Sequence, residues 1–395
     1  MRSATSTATT SASPRSAYRI ALLDWLACAV GGRGEPAARA AAAVADGLEG
    51  RVAAAATAGH VLDFDDTYAP GLAHLSAATA PAAIVVGAHV GAGIDRVLDA
   101  YAAGFEAMAA LTRANHPRLR ERGWHPTAVC GAVGAAIATG KLLGVEATGL
   151  ALLQAAGLRA AFGSDGKALQ VGAAAAAGVR AARLAAAGAT VSDDVVAGFE
   201  AAYGATWTSL DGAGAIEQNW IKAYPCCLQT HSAIDAALAA GASHDSAIDA
   251  ARVAGAAQDS AIDAALVAGA VEVVVHPVSL TAADVGDPST GLQAKFSIPY
   301  LTAYTTMRGA PTVESFRAVD EQVRSAARRV RVATDDSLLE SEAVLRAGGE
   351  TLARVEAAAG SPSNPMTPER HAEKIRSLTG GSLEGALEDP AALLD

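Results

Sequence analysis

VEVVVHPVSL, residues 271–280, is where this chain changes texture. Four valines in its first five positions read as a strand, because β-branched side chains suit a pleated surface better than a helix. Upstream of it the sequence is built from alanine and glycine at helical spacing. IALLDWLACAV (20–30) opens a helical run over 17–48. Two further Ala-rich helices are expected over 76–112, parted at Gly91 and Gly93. Another two are expected over 127–157, parted near Gly140–Gly144, and a long one over 168–187 after the glycine-rich loop GSDGK (163–167). Downstream, VRSAARRVRV (323–332) alternates like a second strand. GSPSNP (360–365) is a loop, and MTPERHAEKIRSL (366–378) is a helix with Thr367 at the N-cap and Pro368 in the first turn. The expected fold class is therefore α+β: a large all-α domain over 17–268, a smaller αβ lid over 269–362, and a terminal helix from 363–395 that returns to the helical domain. Residues 1–16, rich in Ser, Thr and Ala, read as a disordered tail.

Bulk properties agree and exclude several classes. In 395 residues the hydrophobic fraction is 51%, drawn largely from alanine, while aromatics are 4%. Cores of this kind let helix backbones approach closely. The formal net charge of −11 lacks the clustered basic surface that nucleic-acid binding needs. No apolar run reaches the roughly 20 residues of a membrane span. Neither nucleic acid nor membrane is an expected partner. The cysteines, Cys28, Cys130, Cys226 and Cys227, form no C-x-x-C pair, so no zinc or iron–sulfur framework and no metal or other cofactor is expected. Reduced, buried thiols fit a cytoplasmic protein.

SAIDAA recurs at Ser232, Ser246 and Ser260. Fourteen residues fall about 40° short of whole helical turns, so the copies nearly superpose on one face. A tandemly duplicated helix, extended or bulging, is the simplest account.

An acidic body that binds an acid must gather its positive charge at one place. Only five lysines exist: Lys141, Lys167, Lys222, Lys295 and Lys374. Lys167 sits where a glycine-rich loop meets a helix start, an anion cradle in principle or a plain surface lysine. Lys222 lies between Trp220, Ile221 and Tyr224, so it is either snorkelling or desolvated for a function. Asp63, Asp65, Asp66 and Thr67 crowd into five residues. They form either a solvated turn or, being interleaved with Leu62 and Phe64, a partly buried carboxylate cluster. His74, eleven residues beyond Asp63, reads as a site residue or as a core histidine. His125, between Trp124 and Pro126 before a helix, reads as a loop histidine or as a neutral imidazole serving as base or donor. Cys226 and Cys227 read as packing residues.

Six segments in order resemble the MmgE/PrpD family: LDFDDTY (62–68), GWHPTAV (123–129), GSDGKALQVGAAAAAGV (163–179), NWIKAYPCCLQTHSAIDAAL (219–238), AKFSIPY (294–300) and GSPSNPMTPERHAEKIRSL (360–378). The resemblance spans about residues 17–380. It implies a metal-independent lyase, of the 2-methylcitrate dehydratase or cis-aconitate decarboxylase kind, acting on a small di- or tricarboxylic acid, and a homodimer. It implies Asp63, His74, His125, Lys222 and Tyr300 as catalytic residues, Tyr300 reaching in from the lid, with Thr67 and Lys167 binding substrate. A dicarboxylate epimerase or isomerase is the alternative within the family. An inactive homologue with a binding role is the alternative outside enzymology.

Overall fold

The computed structural model describes residues 13–251, 266, 269–381, 383 and 385–394. Its first helix, Pro14–Gly32, begins inside the expected tail, because Ser13 accepts a hydrogen bond from the Ser16 N–H and Pro14 occupies the first turn. The helical part is centred on Pro126–Leu143, flanked by Ile94–Asn115, Leu75–His89 and Gly166–Ala186, with Gly47–His60 packed on the last of these. Small residues set these distances. A Cβ on Gly104 would lie 2.5 Å from the Gly134 carbonyl, and one on Gly178 would lie 2.4 Å from that of Ala132. Pro126–Leu143 is also, among the described residues, the one helix long and apolar enough to cross a membrane. Its apolarity is accounted for by packing, since 83% of it is buried in the core.

A two-residue ladder, β1 (Thr67–Tyr68) with β2 (Asn219–Trp220), pairs Thr67 with Trp220 and Tyr68 with Asn219. It fastens the aspartate cluster to the segment that carries Lys222. The main sheet has four strands: β3 (Val271–Val275), β4 (Arg331–Thr334), β5 (Ala343–Ala347) and β6 (Glu350–Val355), in the order β4-β3-β5-β6. β3 runs parallel to β4 and antiparallel to β5, and β5 is antiparallel to β6. This is a mixed α+β fold with a large helical part.

Two expectations about this region need correction. VEVVVHPVSL is a strand only to Val275, because the His276 side chain caps Val278 and Pro277 starts the helix Pro277–Ala282. VRSAARRVRV is mostly helix, Glu321–Ala327, capped by Asp320, and only its end enters β4. In both cases a capping side chain just ahead outweighs local strand propensity.

The core under the sheet draws in residues well upstream of 269. Tyr224, Cys226, Ala233, Ile234 and Ala236 pack with Val273, Val275, Leu301 and Leu345. The helix His231–Ala251, which carries the repeats at Ser232 and Ser246, thus lies against β5, β6 and the helix Ile298–Arg308. The copy at Ser260 lies outside the described residues. The terminal helix Pro368–Thr379, capped by Thr367, packs back on Pro14–Gly32.

Candidate active site

The geometry is organised around Asp63. Its backbone is left-handed, with φ 53°, a conformation that costs a non-glycine residue on the order of 1–2 kcal/mol. Three buried lysines hold the carbonyls of this turn in succession. Lys295 donates to the Leu62 carbonyl, Lys222 to that of Asp63, and Lys374 to that of Phe64 at 2.8 Å. Lys374 also pairs with Asp24 and donates to the Lys222 carbonyl. Two lysines meet on the Asp63 side chain: Lys222 at 2.8 Å and Lys167 at 3.1 Å, both on Oδ1. Oδ2 is buried without a partner. Four of the five lysines therefore converge on residues 62–64.

Burial alone would raise the Asp63 pKa, but Lys167 and Lys222 hold it well below the usual carboxylate range. Burial would likewise lower Lys222, and Asp63 reverses that, leaving it raised. Lys295 has no carboxylate of its own. Burial, with Lys222 and Lys167 nearby, brings it down to about 8.

Behind Asp63 stands a histidine–aspartate–histidine relay. His60 Nδ1 lies 2.8 Å and His74 Nδ1 3.2 Å from Asp65 Oδ2. Asp65 stays ionised, since the two imidazoles outweigh its burial. Burial keeps His60 neutral, with a pKa near 4, and lowers His74 as well. The closer carboxylate oxygen faces Nδ1 in both rings, so a neutral ring donates to Asp65 from Nδ1 and leaves Nε2 as the acceptor; the Thr67 hydroxyl also lies 3.4 Å from His74 Nδ1. His74 Nε2 faces Asp63 Oδ1 at 3.5 Å. With the imidazole neutral this is no ion pair, but it becomes one once Nε2 accepts a proton.

His125 has the opposite tautomer. The Gln170 amide is fixed by its own bonds: Oε1 accepts from the Leu158 N–H at 2.8 Å, and Nε2 donates to the Leu158 carbonyl at 3.1 Å. Nε2 also lies 2.6 Å from His125 Nδ1, so that nitrogen accepts and the ring proton sits on Nε2. Burial and Lys167 push the His125 pKa well below 6.5. His125 therefore presents an N–H at Nε2.

Asp63, His74, His125 and Lys167 line one cavity of about 40 Å³ with Thr67, Leu72, Arg120, Thr127, Phe162, Cys227 and Phe296. Three helices start at its wall: Leu75–His89 at His74, Pro126–Leu143 at His125, and Gly166–Ala186 at Lys167. Helix N-termini favour anions, so backbone and side chains act in the same sense. Thr127 helps set the wall by accepting the His74 N–H at 3.1 Å. A far larger groove, about 1120 Å³, lies between Tyr18, Glu106 and Lys141. It holds no comparable chemistry, because Glu106 is engaged by the Tyr18 hydroxyl and the Ala215 and Ile216 N–H groups.

Asp63, Thr67, His74, His125 and Lys167 line the cavity, and Lys222 reaches it through Asp63. Tyr300 is placed elsewhere. It is buried under the sheet, its hydroxyl accepts the Asp320 N–H at 3.0 Å, and its ring lies beside Tyr304. Sequence reasoning passed over Lys295, Arg120, His60 and Gln170. The scarcity of lysine was the available signal for Lys295. Among the described residues, His60, Asp65 and His74 have ligand atoms within 4.8 Å of one another and are the one group that could hold a cation. Their atoms are already mutually hydrogen-bonded, and the Lys167 and Lys222 ammonium groups nearby oppose a divalent ion.

An α+β chain with a buried lysine–aspartate centre, two oppositely polarised histidines and converging helix N-termini belongs to the class of acid–base sites for anionic ligands. The chain is a member of the MmgE/PrpD family. The N-terminal domain of that family matches residues 3–211 and its C-terminal domain residues 224–392. The family includes hydro-lyases. No curated protein matches the sequence. The gap between the two matches, 212–223, ends where the chain leaves β2 and enters the core under the sheet.

Proposed function

We propose that the protein is a lyase for a small di- or tricarboxylic acid, in the manner of 2-methylcitrate dehydratase or cis-aconitate decarboxylase. The observation that carries this is the pair of buried neutral histidines with opposite tautomers on one cation-rich cavity. In a dehydration, His74 Nε2 takes the proton from the carbon next to a carboxylate. Asp65 holds the ring in the correct tautomer, and Asp63 stabilises the imidazolium that results. The electron pair forms the new C=C bond and expels hydroxide, which His125 Nε2–H protonates to water. Lys167, and Lys222 through Asp63, offset the substrate's negative charge. With about 40 Å³ of space, far below the roughly 300 Å³ of ordinary ligand pockets, the cavity must widen to admit such a molecule. The C-terminal domain contributes Cys227, Leu228, Ala282 and Phe296 to its wall. An epimerase would use the same abstraction and return the proton to the other face.

The test is proton NMR of the purified protein with 2-methylcitrate, citrate, cis-aconitate or iminodisuccinate in D2O. Alkene signals, or loss of carbon dioxide, identify a lyase, and exchange without net conversion identifies an epimerase. Folded protein that neither turns over nor is thermally stabilised by any of these acids refutes the reading.

A further inference from the structure

Arg120 stands on the cavity wall without an ion pair among the described residues; the carboxylate it feels at longer range, Asp284, is paired with Arg159 at 3.7 Å. It belongs to the short turn Arg118–Glu121, whose other arginine, Arg118, is spent on the Thr206 hydroxyl at the surface. Arg120 instead turns inward and is 6% exposed. One guanidinium nitrogen, Nη2, donates to the Thr281 carbonyl, and Nε is buried with no partner at all. The guanidinium lies 5.4 Å from the Phe162 ring centre, and the Lys167 ammonium lies 5.6 Å from that same ring. Phe162 and Cys227 line the same cavity. Lys167 and Lys222 have Asp63, and Lys374 has Asp24. Arg120 forms no ion pair with any described residue.

A buried guanidinium without a counter-ion is costly. Desolvation of a charge amounts to several kcal/mol even after relaxation, and a carbonyl and an aromatic face repay only part of it. Proteins retain such a group where a ligand supplies the missing anion. A guanidinium's flat fork matches a carboxylate, and here the edge that carries Nε is unused.

We infer that Arg120 is the receptor for a third substrate carboxylate, and that it restricts the cavity to acids bearing one carboxylate beyond the two held toward the Lys167–Asp63 end. This rests on the polycarboxylate reading of the site and names the residue that selects among polycarboxylates.

The experiment is calorimetric titration of the full chain with propane-1,2,3-tricarboxylate and with glutarate, which lacks the central carboxylate. The variants are Arg120→Met and Arg120→Lys, each with a melting curve of the free protein. Wild type should bind the triacid more tightly than the diacid. Arg120→Met should lose on the order of 100-fold in triacid affinity and bind both acids alike, while melting no lower than wild type. Arg120→Lys should recover little of the loss, since a point charge does not reproduce the fork. If wild type binds the triacid and Arg120→Met binds it equally well, Arg120 is no receptor. If Arg120→Met weakens both acids by the same factor and melts far lower, Arg120 is a clamp on the Thr281 segment and the inference fails. If wild type binds neither acid, the polycarboxylate reading fails, and this inference with it.

Discussion

Removing the Lys222 ammonium should damage stability as well as function, and removing Asp63 with it should cost less stability than the two losses added together. Of the two readings of Lys222 that the sequence left open, snorkelling or desolvated, the structure shows the desolvated one. Lys222 is completely buried and donates to both the carbonyl and the carboxylate of Asp63. Lys222→Met keeps the stem and deletes the charge. It leaves a buried carboxylate with Lys167 at 3.1 Å as its remaining cation, and it takes the Lys222 donor from the Asp63 carbonyl. Breaking a buried pair on one side typically costs about 3–5 kcal/mol. Because Lys167 remains, about 2–4 kcal/mol is expected here. Asp63→Asn should cost a similar amount by leaving two ammonium groups unpaired. The double variant should be less destabilised than the sum of the singles by about 2 kcal/mol or more, the coupling that a double-mutant cycle isolates. The assay is urea unfolding at neutral pH followed by tryptophan fluorescence, with polycarboxylate turnover measured on the same preparations. All three variants should be inactive. Strict additivity of the two single substitutions would refute the pairing. A Lys222→Met protein as stable as wild type would refute the claim that this lysine supports the turn.

Two other outcomes follow from the same geometry. Asp66, buried beside Asp65, accepts from Ser76 and Asn219 yet has its pKa raised to about 7, chiefly by burial. A raised carboxyl contributes stability at low pH that is lost as pH rises toward 7, so Asp66→Asn should gain on wild type between pH 5 and 8 by on the order of 2–4 kcal/mol. Urea midpoints of the two proteins that differ by the same amount at both pH values would contradict it. Deleting one 14-residue repeat, 246–259, keeps the copy at Ser232 whose Ala233, Ile234 and Ala236 pack under the sheet, so melting temperature and ligand binding should be nearly unchanged; aggregated product would contradict it.

Helices were legible in this sequence where glycines and prolines punctuate an alanine background, as at Gly91–Gly93 and Thr367–Pro368. Strand boundaries were not, because valine-rich runs at 271–280 and 323–332 each adjoin a cap, and caps are read from hydrogen bonds rather than from periodicity. The helix at 231–251 was assigned to the helical part by its composition. Only its apolar side, facing Val273 and Leu345, reveals that it belongs with the sheet. The site divides in the same way. Asp63, His125, Lys167 and Lys222 were marked by unusual neighbours, whereas Arg120 sits among four arginines between 113 and 122 and nothing in the string says which one turns inward.

What no linear pattern carries is the order in which the lysines act. Lys295 and Lys374 come from beyond residue 268, and Lys222 from the segment that enters the C-terminal core, yet all three hold carbonyls of one turn in the helical part. The left-handed Asp63 therefore depends on both parts of the chain being docked. A helical part separated from its partner would lose three ammonium donors at once, and with them the reason for Asp63 to remain at φ 53°. The same dependence explains how so few lysines suffice. Lys222, Lys295 and Lys374 order the backbone that presents the carboxylate, and the carboxylate in turn raises the pKa of Lys222 and pairs with Lys167 beside the cavity where an anionic ligand would need them.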